Sequence, residues 1–288
     1  MQDFKYIIIK ILKKTPRRLY EFVAIVLTII FFLAACFSVT APGYDDEILG
    51  SEYQKVAMPI PTMAPAPPSE ASVKTSKHEA ELSTVFNQPE KVAFLTFDDG
   101  PTANITPQIL DILKENGIQA TFFALGSCVA KNPEIAKRAA AEGHIFANHT
   151  YSHVYNHIYE NTENFVAEIK SAEELFLATV GEDHYVKVFR FPGGSFEAKK
   201  TPYKDALKEI GYYYVDWNAI NADAEGHNVS PEVQLKNIRE TTKNKRNVVI
   251  LMHDAPTKQT TADALPQIIS YLRSQGFVFR TLKDISLS

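Results

Sequence analysis

From residue 91 onward the chain alternates between short apolar, β-branched or aromatic runs and longer segments of helical texture. The runs fall at 92–97 (VAFLTF), 119–125 (QATFFAL), 144–148 (HIFAN), 186–191 (VKVFRF), 212–215 (YYYV), 247–252 (NVVILM) and 277–280 (FVFR). Runs of this length and composition predict strands. Between them, Thr106-Pro107, Asn132-Pro133, Thr201-Pro202 and Ser230-Pro231 each join a polar capping residue to a proline of the first helical turn. Gly117, Gly143, Gly211 and Gly276 predict helix ends. Strands that alternate with helices imply right-handed βαβ units and a parallel sheet. About seven units in about 200 residues predict a small or incomplete (β/α) barrel, with an open doubly wound sheet as the alternative. The pattern alone does not decide closure.

The beginning of the chain has another texture. Lys5, Lys10, Lys13, Lys14, Arg17 and Arg18 precede an apolar run at 22–39. Its about 18 residues are near the lower limit for a spanning helix. The basic flank is expected to stay in the cytoplasm, which puts everything after residue 40 outside. The run exceeds the ~7–15-residue core of a cleaved signal. Leu33-Ala34-Ala35-Cys36 is similar to a bacterial lipobox, which would make Cys36 a lipidated first residue. A single-pass anchor in a bacterial cell membrane is the leading expectation; a lipoprotein held at Cys36 and a secreted protein are the alternatives. Pro59, Pro61, Pro65, Pro67 and Pro68 then favour an extended, semi-rigid spacer. The expected organisation is a basic segment and transmembrane anchor at 1–40, a Pro-rich linker outside the cytoplasm at 41–88 and a folded domain at 89–288.

Composition narrows the chemistry. Hydrophobic residues at 45% and charged residues at 22% exclude a wholly disordered chain. A formal charge of -4 supplies no basic excess for a phosphate backbone, so no nucleic-acid partner is expected. Two cysteines, Cys36 and Cys128, exclude a disulfide framework and a four-cysteine zinc site. Cys128 is expected to pack as a small hydrophobe.

Barrel enzymes carry their chemistry just after the strand ends. The unusual polar residues of this chain collect there. Asp98 and Asp99 follow the first predicted strand, and His149 and His153 the third. Arg190 ends the fourth, with Pro192-Gly193-Gly194-Ser195 beyond it. Asp216, Trp217 and Asp223 follow the fifth, and His253 and Asp254 the sixth. Four-residue spacing would put His149 and His153 on one face of a helical turn, where they can share a metal. An aspartate from Phe97-Asp98-Asp99-Gly100 completes two histidines and a carboxylate with open positions, the pattern of a catalytic metal site. The second aspartate is then free as a general base, because a metal lowers the pKa of its bound water. Spacing does not say which aspartate does which. Neighbours on a strand point to opposite faces, so the chain must bend, and Gly100-Pro101 is the expected place. His253 is a candidate general acid. Arg190, between Phe189 and Phe191, is expected to be a partly buried cation held by a carboxylate. Tyr151, Tyr155 and Tyr159 recur at four-residue spacing and are expected to pack one helix face.

Thr96-Phe97-Asp98-Asp99-Gly100, His149-Thr-Tyr-Ser-His153, Arg190-Phe-Pro192-Gly-Gly-Ser195, the Asp216-Trp217 to Asp223 segment and Leu251-Met-His253 occur in that order. Together they resemble the polysaccharide deacetylase family, carbohydrate esterase family 4, over about residues 88–288. The resemblance implies a distorted, incomplete, TIM-like (β/α)7 barrel. It implies a metal bound by Asp99, His149 and His153: usually zinc, with Co2+ or Mn2+ as substitutes. It implies Asp98 as general base, Arg190 orienting it, His253 as general acid and Asp223 supporting that histidine. The Gly193 amide would join the metal in stabilising the oxyanion, and Leu251 and Trp217 would wall a pocket for the acetyl methyl.

Two departures stand out. Many members have Arg-Pro-Pro-Tyr where this chain has Arg190-Phe191-Pro192-Gly193, and the family's Asp-Trp appears as Asp223-Ala224. Backbone donation at Gly193 survives the first change. The implied activity is removal of N-acetyl groups from an N-acetylglucosamine polymer, with peptidoglycan the first expected substrate and a monomer the expected state. O-deacetylation of a glycan such as xylan is the alternative within the family. A non-catalytic glycan-binding member is the alternative outside enzymes, and the complete set of polar residues weighs against it.

Overall fold

The computed structural model describes residues 88–284. The expected transmembrane run, the lipobox cysteine Cys36 and all of the linker before residue 88 lie outside them. Among the described residues no helix is long and apolar enough to cross a membrane.

The strands are β1 Val92–Asp98, β2 Thr121–Ala124, β3 Ile145–Asn148, β4 Tyr185–Phe189, β5 Tyr213–Tyr214, β6 Ala219–Ile220, β7 Asn247–His253 and β8 Val278–Phe279. The helices are α1 Thr106–Glu115, α2 Gly126–Lys131, α3 Pro133–Ala141, α4 Tyr155–Ile158, α5 Thr162–Val180, α6 Thr201–Glu209, α7 Pro231–Thr242 and α8 Gln259–Ser274. Every strand pair is parallel. The spatial order is β5-β4-β3-β2-β1-β7-β6, and β8 pairs with the start of β1.

This order decides closure. Seven strands laid flat would hold the outer two about 29 Å apart, at ~4.8 Å per strand. Residues 215–218 join the outer strands β5 and β6. A link that short reaches at most about 18 Å. The sheet therefore curls until its edges approach, yet β5 and β6 form no ladder. The result is an incomplete barrel, open between them. β6 is not predicted from the sequence, because Ala219–Ile220 is too short to carry a period. Asp223 accordingly follows β6, and His253 ends the seventh strand rather than the sixth.

Alternation sorts each strand into two faces. Val92, Phe94, Phe123, Ala147, Val188, Val215 and Val249 form the barrel interior with Leu282. Ala93, Leu95, Phe97, Phe122, Phe146, Phe189, Val248 and Ile250 belong to the larger layer under the helices. Truncating a phenylalanine in either layer to alanine costs about 3–5 kcal/mol. Two-residue steps along the inner face reach Asp98 from Phe94, His149 from Ala147 and Arg190 from Val188. They also reach Trp217 from Val215, and Leu251 and His253 from Val249. The period that fills the barrel thus aims these side chains at its mouth.

The helix signals hold unevenly. Gly117, Gly143, Gly211 and Gly276 all have positive φ, between 62° and 88°. Of the four expected caps, only Ser230 accepts from the helix with its side chain, from Val233 N. Thr106 and Thr201 are first helical residues, and Asn132 turns its amide to the carbonyls of Pro101 and Cys128.

Candidate active site

β1 delivers Asp98, and Asp99 turns the chain with φ 79°. The bend lies at the aspartate itself, one residue before the expected Gly100-Pro101. Gly100 is needed beside it, because a Cβ there would lie 1.9 Å from Asp254 Oδ2. Asp254 is buried and accepts from Thr106 Oγ1 at 2.6 Å. Burial pushes its carboxyl up to about 7.

One ligand atom each from Asp99, His149 and His153 lies within 4.8 Å of the others. Both histidine Nε2 atoms stand 3.6 Å from Asp99 Oδ1. That oxygen is buried without a hydrogen-bond partner among the described residues. His149 Nδ1 lies 2.8 Å from the Arg190 carbonyl, which can only accept. The ring proton is therefore on Nδ1, and the Nε2 lone pair faces Asp99. Burial pushes His149 down to about 3, which keeps the ring neutral. Two imidazole nitrogens and an unsatisfied carboxylate oxygen on one point suit a divalent ion.

The histidines do not meet as expected. Residues 149–154 form a loop rather than a helical turn, with φ 79° at Thr150 and 61° at His153. Such residues cost on the order of 1–3 kcal/mol each and need support. Asn148 Oδ1 accepts from Thr150 N at 2.9 Å, and Thr150 Oγ1 from His153 N at 3.1 Å. Glu168, on α5, accepts from Tyr151 N at 3.0 Å and Ser152 N at 2.7 Å through Oε2. The tyrosines do not share a helix face either. Tyr151 and Tyr159 pack against the core, while Tyr155 is exposed and edge-on to His153 at 5.3 Å.

Arg190 is fully buried, deeper than expected. Its Nη1 donates to Asp98 Oδ1 at 2.8 Å and Thr96 Oγ1 at 2.7 Å, and its guanidinium lies 3.9 Å from the Phe123 ring centroid. Asp98 Oδ2 is left 3.9 Å from His149 Nε2, facing the ligand cluster. Burial raises the Asp98 carboxyl above the usual range, against the pull of Arg190 and His253. A raised carboxyl is a stronger base than an exposed one.

His253 ends β7 level with Asp98 in the ladder. Asp223 Oδ1 lies 2.7 Å from its Nδ1, and Asp223 Oδ2 accepts from His253 N and Thr261 Oγ1, both at 2.8 Å. Burial alone would lower His253, but the Asp223 hydrogen bond and charge, with Asp98 and Asp99, lift it to about 9. Asp223 is pushed up by burial and drawn below its ordinary value by those same hydrogen bonds.

Beyond β4 the Gly193-Gly194 pair has φ 74° and 77°. Lys200, only 3% exposed, donates to Pro192 O at 2.7 Å and Gly194 O at 2.6 Å, with its ammonium 4.5 Å from the Tyr159 ring centroid. Tyr159 Oη also donates to Pro192 O. Asp216 Oδ1 accepts from Ser195 N, and Gly194 N donates to Phe191 O. The Gly193 N–H takes part in none of these bonds. Trp217 lies 5.8 Å from the Arg190 guanidinium and edge-on to Phe196, which is 67% exposed. Leu251 is half-buried on β7, in register with Thr96.

Sequence reading missed Glu168, Lys200, Asn148 and Thr261. Glu168 and Thr261 act from helices, outside any strand-end motif. A lysine in a charged surface segment carries no sign that it will be buried. Only Asn148, next to His149, was within reach, as a polar residue at the end of an apolar strand.

An open parallel barrel with a carboxylate–histidine cluster and a buried aspartate–arginine pair at its mouth defines a class of α/β barrel with a candidate metal site. The comparisons identify which one. A family model for polysaccharide deacetylases matches residues 86–215. A peptidoglycan-N-acetylglucosamine deacetylase of Bacillus cereus is 36% identical over 211 residues, 73% of this chain and 72% of its own. A peptidoglycan-N-acetylglucosamine deacetylase of Listeria monocytogenes is 30% identical over 253 residues, 84% of this chain and 50% of its own. The chain thus spans about half the length of that relative. A solved carbohydrate esterase family 4 structure from Streptococcus mutans superposes with a TM-score of 0.64 at 33% identity, covering 71% of this chain and 90% of its own. This chain belongs to the polysaccharide deacetylase family, carbohydrate esterase family 4.

Proposed function

We propose that the chain is a metal-dependent hydrolase that removes N-acetyl groups from an N-acetylglucosamine polymer, with peptidoglycan as substrate. The observation that carries this is the unsatisfied Asp99 Oδ1 facing Nε2 of both His149 and His153 at 3.6 Å, beside the Asp98 carboxylate. The names of the Bacillus and Listeria relatives supply the polymer. Asp99, His149 and His153 would hold the ion, with zinc as our assignment and Co2+ or Mn2+ as substitutes. When bound, the ion supplies Lewis-acid polarisation of the acetamide carbonyl and acidifies water.

Asp98 takes the proton of the water that adds to the carbonyl carbon. Arg190 fixes one oxygen of Asp98 and leaves the other toward the ligand cluster. The Gly193 N–H donates to the carbonyl oxygen as it gains charge. Leu251 and Trp217 wall the methyl group. His253 gives its proton to the nitrogen as the C–N bond breaks, and Asp223 holds Nδ1 so that Nε2 is the donor. Acetate and a free amine leave.

The anchor and linker belong to the same proposal. A helix at 22–39, or a lipid on Cys36, would tether residues 89–288 outside a bacterial membrane, held off it by the linker. We take the catalytic unit as a monomer.

The test is acetate release by the zinc-loaded full chain from peptidoglycan, N-acetylglucosamine oligomers and acetylated xylan. Release from the first two that stops with a chelator is expected. Release from xylan alone would replace N-deacetylation with O-deacetylation. Release from none, with zinc bound, would leave a glycan-binding protein.

A further inference from the structure

We propose that Glu168 is the positioning residue of the metal-ligand loop, setting the affinity of the Asp99–His149–His153 site without touching the ion. The proposal rests on the metal-site reading above and extends it to a residue outside every strand-end motif.

The loop 149–154 has an unusual task. Two histidines must converge on one carboxylate oxygen without a helical turn to align them. Thr150 and His153 instead adopt left-handed backbone, with φ 79° and 61°. Left alone, such a segment would relax toward ordinary φ and separate the two imidazoles. Glu168 is where that relaxation is blocked. Its Oε2 receives two consecutive loop amides, Tyr151 N at 3.0 Å and Ser152 N at 2.7 Å. Consecutive N–H groups around one oxygen form a concave anion seat, and a full negative charge shortens and strengthens both bonds. Glu168 is buried, so solvent competes little for its carboxylate. Its other oxygen lies 3.7 Å from His157 Nε2.

The support comes from a rigid element. α5 runs for 19 residues from a side-chain cap at Asn161 and buries Phe165, Ile169, Ala172 and Phe176. The same helix grips the start of the loop, since Asn148 Nδ2 donates to Ile169 O at 2.9 Å while its Oδ1 holds Thr150 N. Adjacent residues of one helix thus fix both halves of the loop. Groups that orient metal ligands from outside typically change metal affinity ~10–100-fold when removed.

The full chain, stripped of metal, is titrated with Zn2+ against a competing chromophoric chelator and with Co2+ by visible absorption. Wild type, Glu168→Gln, Glu168→Ala and Glu173→Ala are compared. Glu173 lies on the same helix and pairs with Lys187 at 2.8 Å, so its loss tests the helix without the loop. Glu168→Ala is expected to weaken Zn2+ binding ~10–100-fold and to change the Co2+ spectrum. Glu168→Gln keeps the size and one acceptor oxygen and should fall between it and wild type. Glu173→Ala should leave both readouts unchanged. Wild-type affinity in Glu168→Ala, or an equal loss in Glu173→Ala, overturns the proposal. Should the alanine variant fail to fold, the glutamine variant decides: weaker binding than wild type supports the role, and equal binding ends it. A wild-type chain that binds neither ion would instead remove the metal site and this proposal with it.

Discussion

Arg190 Nη1 donates to Asp98 Oδ1 at 2.8 Å, and both side chains are buried. A buried ion pair is poor evidence for stability, because desolvation of both charges offsets their attraction. Its value here is orientation. One carboxylate oxygen is occupied by Arg190, so the other is the oxygen available beside the histidines. In the proposed mechanism the pair suits Asp98 to the base role and leaves Asp99, whose Oδ1 has no hydrogen-bond partner among the described residues, as the ligand.

Asp98→Asn should therefore lower kcat by about 10²–10⁴-fold while zinc affinity stays within a few-fold of wild type. Steady-state acetate release and a zinc titration on the same sample check both halves. Near-normal kcat would remove Asp98 from the base role.

The metal-free protein should lose stability as pH rises toward 9. Folded His253 lies near 9, above its ordinary 6.5. Its contribution is fully present below about 6.5 and is lost as pH climbs through about 9. Asp223→Asn removes the nearest charge that lifts it, leaving only Asp98 and Asp99 against burial. Denaturant melts across that window should slope in wild type and slope less in the variant, and the His253 NMR titration should move down from about 9.

Lys200→Met tests the loop that carries Gly193. Gly194 O loses its buried donor, at about 1–3 kcal/mol, while Pro192 O keeps only the Tyr159 hydroxyl. A displaced oxyanion donor should lower kcat more than it changes KM, by up to the ~10²–10³-fold seen when such donors are deleted. A parallel fall in zinc affinity would place the damage elsewhere.

Gly100→Ala forces a Cβ against the Asp254 carboxylate. Crowding of this kind costs about 1–3 kcal/mol. Thermal melting should show the loss, and the Gly100→Ala/Asp254→Ala double variant should recover part of it.

The strand-end residues were legible because two independent regularities coincide. Alternation along β1, β3, β4 and β7 marks an inner face, and parallel strands present their ends together. Asp98, His149, Arg190 and His253 obey both. The His149–His153 spacing pointed to two side chains that do converge, but they do so through left-handed backbone rather than a helical turn. β6 was invisible because two residues cannot show a period, and its absence displaced Asp223 by one strand. Glu168 and Lys200 were hidden for another reason. Their roles depend on tertiary contacts between a helix and a loop, and polar side chains on those segments read as surface.

The most direct test follows acetate release from N-acetylglucosamine oligomers while zinc is titrated into the stripped full chain. The account predicts negligible release without metal, a rise that saturates at one zinc per chain, and loss of that saturation in His153→Ala. Release that is undiminished in the stripped chain, or that reaches the same level at the same zinc ratio in His153→Ala, would contradict it.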